Sequence, residues 1–427
     1  PWVTTVAAYT HDRSFTDVVI DGFSGGDSTP TSAIVGKGAT EEYTGKVVLA
    51  EDFGDAQCLT PFAENTFSGE IVVCERGSIA RVRKGLNVKE GGAGGLILMN
   101  VDADINSTHA DNQLLPAANI DVDSGVALKA WLSSGSDHTA TISASELTKD
   151  DSLGDIAGVF TSRGPNAPYL NIFSPDIAAP GVSIYAAYAE DKPFSTEEQG
   201  VPYNTLDGTS MASPHVAGAL ALVHATHPDW SPAEVQSAIM STAHQNTLKD
   251  DDSDGVTERS NFFDQGAGSV RVNKAINAGL ILDVAWQDYV DAWPGGGGDP
   301  AELNTTSVVQ QKCIATCSWT RTVKAVKDSS WTASYEYLNG GFTMSVSPAS
   351  FSLKAGETQE LTITADANID LADEWVHGYI NLDNADDSMS DTHLQATIAF
   401  SAGKVIEETS AEINNVNNTI VIEDITS

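Results

Sequence analysis

The residues best suited to chemistry lie in one short stretch, residues 205–218, which reads Thr-Leu-Asp-Gly-Thr-Ser-Met-Ala-Ser-Pro-His-Val-Ala-Gly. Gly208 allows a sharp backbone turn, and the apolar run after it predicts a buried helix with Ser210 at its start. The first N–H groups of a helix have no partner within it, and the helix dipole favours negative charge there. Acyl transfer needs this arrangement, a nucleophile beside donors for an oxyanion. A plain N-cap on a core helix is the alternative, and it explains the helix but not the whole string.

This stretch resembles the nucleophile segment of subtilisin-like serine proteases. The resemblance implies that Ser210 attacks the peptide carbonyl, that Thr209 supports the oxyanion, and that Asp207, Gly208 and Met211 lie beside the substrate. It also implies an endopeptidase that acts on protein or peptide substrates and needs no cofactor for its chemistry. The alternative function is a catalytically inactive fragment that serves as a binding or scaffold module.

The other members of a serine-protease triad are not evident in the sequence. In the subtilisin order an aspartate and a histidine precede the serine, yet no Asp-Ser-Gly-type, His-Gly-Thr-type or Gly-Asn-Ser-Gly segment lies between Pro1 and Ser210. We therefore expect the catalytic aspartate, histidine and oxyanion asparagine to come from an N-terminal part of the same protease. His215 follows Ser210 by five residues and should point roughly 140° away from it on a helix, as a packed core histidine. The other eight histidines have no motif around them and are expected to be structural or surface residues.

Residues 20–147 have a rhythm of their own. Gly-Glu-Ile-Val-Val-Cys-Glu-Arg-Gly at 69–77 precedes a helical pattern at 80–90, where Val82, Leu86 and Val88 are the apolar positions. Gly-Gly-Ala-Gly-Gly-Leu-Ile-Leu-Met-Asn follows at 91–100, and a second helical pattern lies at 126–132. Together these segments resemble a protease-associated domain.

The remaining segments complete a three-part organisation. Residues 160–166, 174–187 and 263–275 resemble segments of subtilases that carry such an insertion. Pro-Gly-Gly-Gly-Gly-Asp-Pro at 294–300 is typical of a linker. Five short alternating segments beyond it predict a β-sandwich, which resembles the fibronectin-type domain at the C-terminus of the same proteases.

The expected fold class is therefore α/β. It comprises the C-terminal part of a three-layer subtilisin-like fold, an inserted β-rich α+β protease-associated domain, and a C-terminal all-β sandwich. The expected boundaries, in chain order, are 1–19 and 148–285 for the catalytic part, 20–147 for the insertion, 286–300 for the linker, 301–403 for the sandwich and 404–427 for an acidic tail.

Charge and hydropathy exclude several partners. The chain has 22 basic and 59 acidic residues, for a net charge of −37. It should repel nucleic acid and anionic membrane surfaces. No apolar stretch reaches the roughly 20 residues that a membrane span needs. Length and composition fit a multidomain secreted protein, so an extracellular location is expected.

Two further features concern covalent and metal chemistry. The four cysteines form two local pairs, and disulfides Cys58–Cys74 and Cys313–Cys317 are the simplest of three connectivities. A zinc site would need four clustered ligands, which the sequence does not provide. Asp250, Asp252 and Asp254 alternate before Gly255 as in an EF-hand loop, but Asn261 stands where that loop has its bidentate glutamate. A structural calcium ion there is a hypothesis, and a solvated acidic loop is the alternative.

Overall fold

The computed structural model describes residues 2–188, 203–251, 256–367 and 374–400. Two of the three aspartates in the calcium hypothesis, Asp252 and Asp254, lie outside the described residues, as does the expected acidic tail at 404–427. In the described ranges, no helix is both long enough and apolar enough to cross a membrane.

The insertion folds as a closed barrel. Two short strands precede it, β1 (Val6–Tyr9) and β2 (Arg13–Phe15). The barrel strands are β3 (Val18–Ser24), β4 (Ile34–Lys37), β5 (Tyr43–Leu49), β6 (Ile71–Glu75), β7 (Gly95–Met99), β8 (Ala117–Ile120) and β9 (Thr139–Ile142). They pair in the order β3-β4-β8-β7-β6-β5-β9, and β5 to β8 run parallel to one another. Helix α1 (Arg81–Glu90) connects β6 to β7, and helix α2 (Val122–Leu132) follows β8 and leads to the antiparallel strand β9. Short 3-10 turns lie at Ala50–Phe53 and Ala103–Ile105.

Helix α1 confirms the helical spacing, but only one of its three apolar positions, Val88, is fully buried. Val82 and Leu86 are only half-buried, whereas Lys84 and Asn87 are fully buried. The buried polar groups find partners in the loop before β6, where Asn87 Nδ2 donates to the Cys58 carbonyl at 2.8 Å. Apolar periodicity alone does not predict a face whose polar groups are satisfied by a distant loop.

Both expected disulfides are present. Cys58 is bonded to Cys74, which ties the loop before β6 to that strand, and Cys313 is bonded to Cys317. Among the described residues no cysteine is free.

After the barrel the chain returns to the catalytic part. Its elements are β10 (Leu147–Lys149), a 3-10 turn at Asp151–Leu153, β11 (Ile177–Pro180), β12 (Ile184–Ala187), β13 (Tyr203–Leu206), α3 (Thr209–Thr226), α4 (Pro232–Ser241), β14 (Leu248–Lys249), β15 (Glu258–Arg259), α5 (Phe262–Gln265), α6 (Val272–Ala275), β16 (Leu280–Ile281) and α7 (Trp286–Asp291). Strand β1 pairs with β11 in parallel, β2 pairs with β10, and β12 with β13 forms an antiparallel hairpin. Helix α3 packs against the β1–β11 ladder through small and branched apolar side chains, and α4 packs against α3 and β16.

Helix α4 begins with a capping box. The Ser231 hydroxyl accepts from the Glu234 N–H at 3.1 Å, and the Glu234 carboxylate accepts from the Ser231 N–H at 2.9 Å. Pro232 occupies the first helical position. Two backbone donors are thus satisfied locally, so the helix start needs no tertiary partner.

Two sheets form the C-terminal sandwich. Its own strands are β17 (Ser307–Cys313), β18 (Thr316–Ala325), β19 (Ser329–Tyr337), β20 (Phe342–Ser347), β21 (Ser350–Leu353), β22 (Thr358–Ala367), β23 (Trp375–Asn384) and β24 (Thr392–Phe400). The sheet orders are β16-β18-β22-β20 and β17-β24-β23-β19-β21. Strand β16, which precedes the predicted linker, therefore joins a sandwich sheet. The segment 286–300 carries α7 and 3-10 turns at Pro294–Gly296 and Pro300–Glu302, and a last 3-10 turn lies at Ser388–Ser390.

Asp176 stands just before β11 and gives the fold an expected pH dependence. Its carboxylate accepts from the Thr5 N–H and hydroxyl, both at 2.7 Å. Burial raises the pKa of Asp176 from 3.8 to about 6, although the bonds from Thr5 oppose this shift. The folded state thus binds a proton more tightly than the unfolded state. The stability contributed by protonated Asp176 is fully present below about pH 4 and is lost as the pH rises through about 6.

We expect Asp176→Asn to remove this loss, because the amide stays neutral and keeps an acceptor for Thr5. The two pKa values, 3.8 and about 6, correspond to about 3 kcal/mol. Urea unfolding at pH 7.5 should show the variant more stable than the parent, and the difference should shrink towards pH 4. Asp21→Asn, at an exposed carboxyl, is the control and should show no such trend. The interpretation would be contradicted if the stability of Asp176→Asn, measured relative to the parent, were lower at pH 7.5 than at pH 4.

Candidate active site

Ser210 lies in the first turn of α3 and is exposed to solvent. Gly208 is the N-cap, and its carbonyl accepts from the N–H groups of Met211 at 3.0 Å and Ala212 at 3.3 Å. The N–H groups of Thr209 and Ser210 precede these and have no partner within the helix. An accessible hydroxyl therefore lies beside free donors and the positive end of the helix dipole.

A close backbone contact holds the loop before Ser210. The Gly208 N–H donates to the Gly181 carbonyl at 2.8 Å, which ties the start of α3 to the turn between β11 and β12. A Cβ atom at Gly181 would lie 2.7 Å from the Ala8 Cβ and 2.8 Å from the Gly208 carbonyl oxygen. Only glycine allows this approach, so the β1–β11 ladder directly sets the position of the nucleophile loop.

Helix α3 buries one face rather than its whole circumference, and in this respect the sequence prediction is wrong. The buried residues recur at helical spacing and face the sheet: Ala212, Val216, Ala219 and Val223. The opposite face is also apolar, yet it is exposed and includes Pro214, Ala217 and Leu222, the last 60% exposed. The sheet covers one side of the helix, and in the described ranges nothing covers the other.

His215 is not the packed core residue that its sequence position suggested. It is exposed, and its Nδ1 donates to the Met211 carbonyl at 2.8 Å. Within the described parts of the chain, no histidine is hydrogen-bonded to Ser210.

Asp207 is hydrogen-bonded to His109, a histidine with no motif around it in the sequence. His109 Nδ1 donates to Asp207 Oδ2 at 2.7 Å, and the side chains are only 7% and 8% exposed. The Ser183 N–H donates to the other carboxylate oxygen at 2.5 Å. Burial raises the pKa of Asp207, but the interactions with His109, the bond from Ser183 and the charge of Arg81 together outweigh it, and the pKa lies below its usual value. The two residues are 98 positions apart, and no local pattern links them.

The structure offers no support for a metal site in the described residues. They contain no group of three His, Cys, Asp or Glu side chains placed to hold an ion. Near Asp250, the Asp251 carboxylate accepts from Arg163 at 2.5 Å and lies 3.1 Å from Lys249 Nζ. The bond from Arg163 lowers the pKa of Asp251 to about 2. Cations of the protein itself thus neutralise part of this acidic segment.

Comparison with known families agrees with this geometry. The model of the Subtilase family matches residues 94–268, that of the PA domain matches residues 35–128, and that of a fibronectin type-III domain matches residues 302–393. The first match contains the helix that carries Ser210, and the other two fall on the barrel and on the sandwich. The chain belongs to the subtilase family, with an inserted PA domain and a C-terminal fibronectin type-III domain.

Individual relatives extend over much of the chain. Subtilisin-like protease SBT1.7 of Arabidopsis thaliana is 33% identical over 399 residues, which are 85% of this chain and 52% of that protein. Subtilisin-like protease SBT5.4 of the same plant is 36% identical over 304 residues, covering 68% of this chain and 39% of that protein. The chain thus spans about half, or less, of the length of these relatives. The crystal structure of the psychrophilic subtilisin-like protease Apa1 from Pseudoalteromonas sp. AS-11 is 17% identical, covers 63% of this chain and 49% of that one, and has a TM-score of 0.20, too low to carry an argument.

Proposed function

We propose that this chain supplies the nucleophile of a subtilisin-like serine endopeptidase, which hydrolyses peptide bonds through an acyl-enzyme at Ser210. The observation that carries the proposal is the exposed Ser210 hydroxyl in the first turn of α3, in a chain of the subtilase family. Substrates would be proteins or peptides, and no cofactor takes part in the chemistry.

In this mechanism Ser210 Oγ attacks the scissile carbonyl carbon, and its proton passes to a histidine base. The carbonyl oxygen becomes an oxyanion, which the Ser210 N–H stabilises with help from the Thr209 hydroxyl. The tetrahedral intermediate collapses to an acyl-enzyme, and the histidine gives its proton to the leaving amine. Water, activated by the same histidine, then attacks the acyl carbonyl and releases the carboxylic acid product and free Ser210. Asp207, Gly208 and Met211 would border the bound substrate, since they flank the nucleophile directly.

We further propose that an N-terminal part of the same protease brings the catalytic aspartate, the histidine base and the oxyanion asparagine. The exposed apolar face of α3 supports this, because an uncovered surface of that kind is unfavourable in water. A groove of about 620 Å³ continues that face between α3, α4 and α7, where Trp2 is 59% and Trp286 71% exposed. The greater length of the relatives supports the same conclusion.

Two disulfides support the proposal that the protein is secreted, because disulfides persist in oxidising compartments. A calcium ion at Asp250, Asp252 and Asp254 remains a proposal that rests on their sequence spacing. Calorimetric titration with calcium tests it, and no heat of binding would contradict it.

A fluorophosphonate probe tests the proposed activity in the complete protein. We expect one adduct, which peptide mapping by mass spectrometry places on Ser210. Ser213→Ala is the matched control, because Ser213 is an exposed serine on the same helix and its loss should leave labelling unchanged. The 427-residue chain alone should label far more slowly, because this proposal assigns the base to the N-terminal part. An unlabelled complete protein would favour the binding or scaffold alternative, and full activity of the chain alone would refute the need for an N-terminal part.

A further inference from the structure

The barrel contacts the nucleophile loop at a buried polar point. His109 belongs to the segment between β7 and β8, and its ring donates to Asp207, three residues before Ser210. Both side chains are more than nine-tenths buried. Solvent therefore screens this hydrogen bond much less than it would screen a surface pair.

His109 is itself held rigidly by the barrel. Its backbone N–H donates to Asn119 Oδ1 at 3.0 Å, and Asn119 on β8 donates in turn to the Leu98 carbonyl at 2.9 Å. Its Nδ1 bonds Asp207, and its Nε2 forms a hydrogen bond of 3.0 Å with the Ser107 hydroxyl. Both ring nitrogens are satisfied, which fixes the orientation of the imidazole.

Asp207 is held from two sides. One carboxylate oxygen accepts from His109 on the barrel, and the other accepts from the Ser183 N–H at the turn before β12. The guanidinium of Arg81 also lowers the pKa of Asp207 from a greater distance, while it binds Asp111 through two hydrogen bonds of 2.5 and 2.9 Å. The loop that ends at Ser210 is thus anchored to the barrel and to the catalytic part at the same residue.

We propose that His109 is a positioning residue, through which the inserted barrel holds the Asp207–Thr209 loop and thereby aims Ser210 at its substrate. This proposal rests on the proposed function. Misplacing a reacting atom by about 1 Å costs on the order of 100-fold in rate, so a loosened loop should slow acylation. Substrate binding elsewhere would not depend on this contact, so KM should change little.

The test measures fluorophosphonate labelling and peptide hydrolysis by the complete enzyme. We expect His109→Leu to lower the labelling rate and kcat by roughly 10- to 100-fold, with KM nearly unchanged. His109→Asn should recover much of the loss, because its amide nitrogen takes the place of Nδ1 and still donates to Asp207. In labelling rate and kcat, Asp207→Ala should resemble His109→Leu, and the double variant should lose no more of either than the single variants.

His138→Leu is the matched control. His138 lies in the same barrel, is also 7% exposed, and bonds the Ser134 carbonyl at 2.7 Å, but it does not contact the nucleophile loop. It should lower barrel stability without slowing labelling. If His109→Leu labels as fast as the parent, or His138→Leu slows labelling equally, the positioning role is refuted. A parent enzyme that does not label at Ser210 would refute the proposed function itself, and with it this role.

Discussion

Ser210→Ala in the complete enzyme should lower kcat for peptide hydrolysis by about 10⁶-fold, because the members of a catalytic triad act as a unit and little triad catalysis survives without the nucleophile. The residual rate should still exceed that in water by about 10³- to 10⁴-fold, since the oxyanion donors and substrate binding remain. KM should change little, because the hydroxyl contributes to the transition state far more than to substrate binding.

Steady-state kinetics with a peptide substrate would measure this effect. Ser213→Ala serves as the control for helix α3 and should retain the kcat of the parent. The substituted side chain at 210 is exposed, so the thermal stability of Ser210→Ala should match that of the parent. A loss of less than about 100-fold in kcat would mean that another residue is the nucleophile. A substitution that only displaces the reacting atoms can itself cost about that much.

The second large effect is expected on stability, at Arg321 in β18. Its side chain is 1% exposed, and its guanidinium donates to four backbone carbonyls, those of Thr305 and Thr320 at 2.9 Å, Ala301 at 3.0 Å and Ser307 at 2.9 Å. Burial lowers the pKa of Arg321 to about 10, which still leaves the group charged at neutral pH. The Arg321 side chain thus connects β18 to residues 301–307, the segment that leads into the sandwich.

Arg321→Leu should lower the free energy of unfolding by about 3–5 kcal/mol, because four carbonyls, two of them on the buried residues Ala301 and Ser307, lose a charged donor at once. Replacing a buried ion pair with apolar residues is often harmless, but here only the donor would be removed and the acceptors would stay buried. The free energy of unfolding of Arg321→Lys should lie between those of the parent and of Arg321→Leu, since lysine has the charge but not the planar fork of donors.

Urea unfolding would measure these differences. Arg13→Leu is the control, because the Arg13 side chain is 59% exposed and its ion pair is long, with 3.9 Å between Arg13 Nε and Asp12 Oδ1. Its effect should stay within about 0.5 kcal/mol. A similar stability for Arg321→Leu and the parent would show that water reaches these carbonyls and replaces the guanidinium.

Much of the architecture was predictable from the sequence because its signals are local. The Gly208-Thr209-Ser210 turn, the capping box of α4 and the two cysteine pairs all depend on residues within about 16 positions of one another. Spacing of this kind determines a helix start or a short covalent loop with little help from the rest of the chain. The three segments that resemble known families were recognisable for the same reason.

Long-range packing decided the rest. The sequence could not show that Lys84 and Asn87 form the buried face of α1, or that β16 joins the sandwich, because each depends on a partner distant in the chain. The same holds for helix α3, whose apolar pattern is equally strong on both faces, although the sheet covers only one. The hydrogen bond from His109 to Asp207 spans 98 residues, and no local pattern in the sequence pairs the two side chains. The sequence by itself thus determined which residue is the candidate nucleophile and which modules surround it. Only the tertiary structure decided what holds that residue in place, because buried polar contacts form between elements that folding alone brings together.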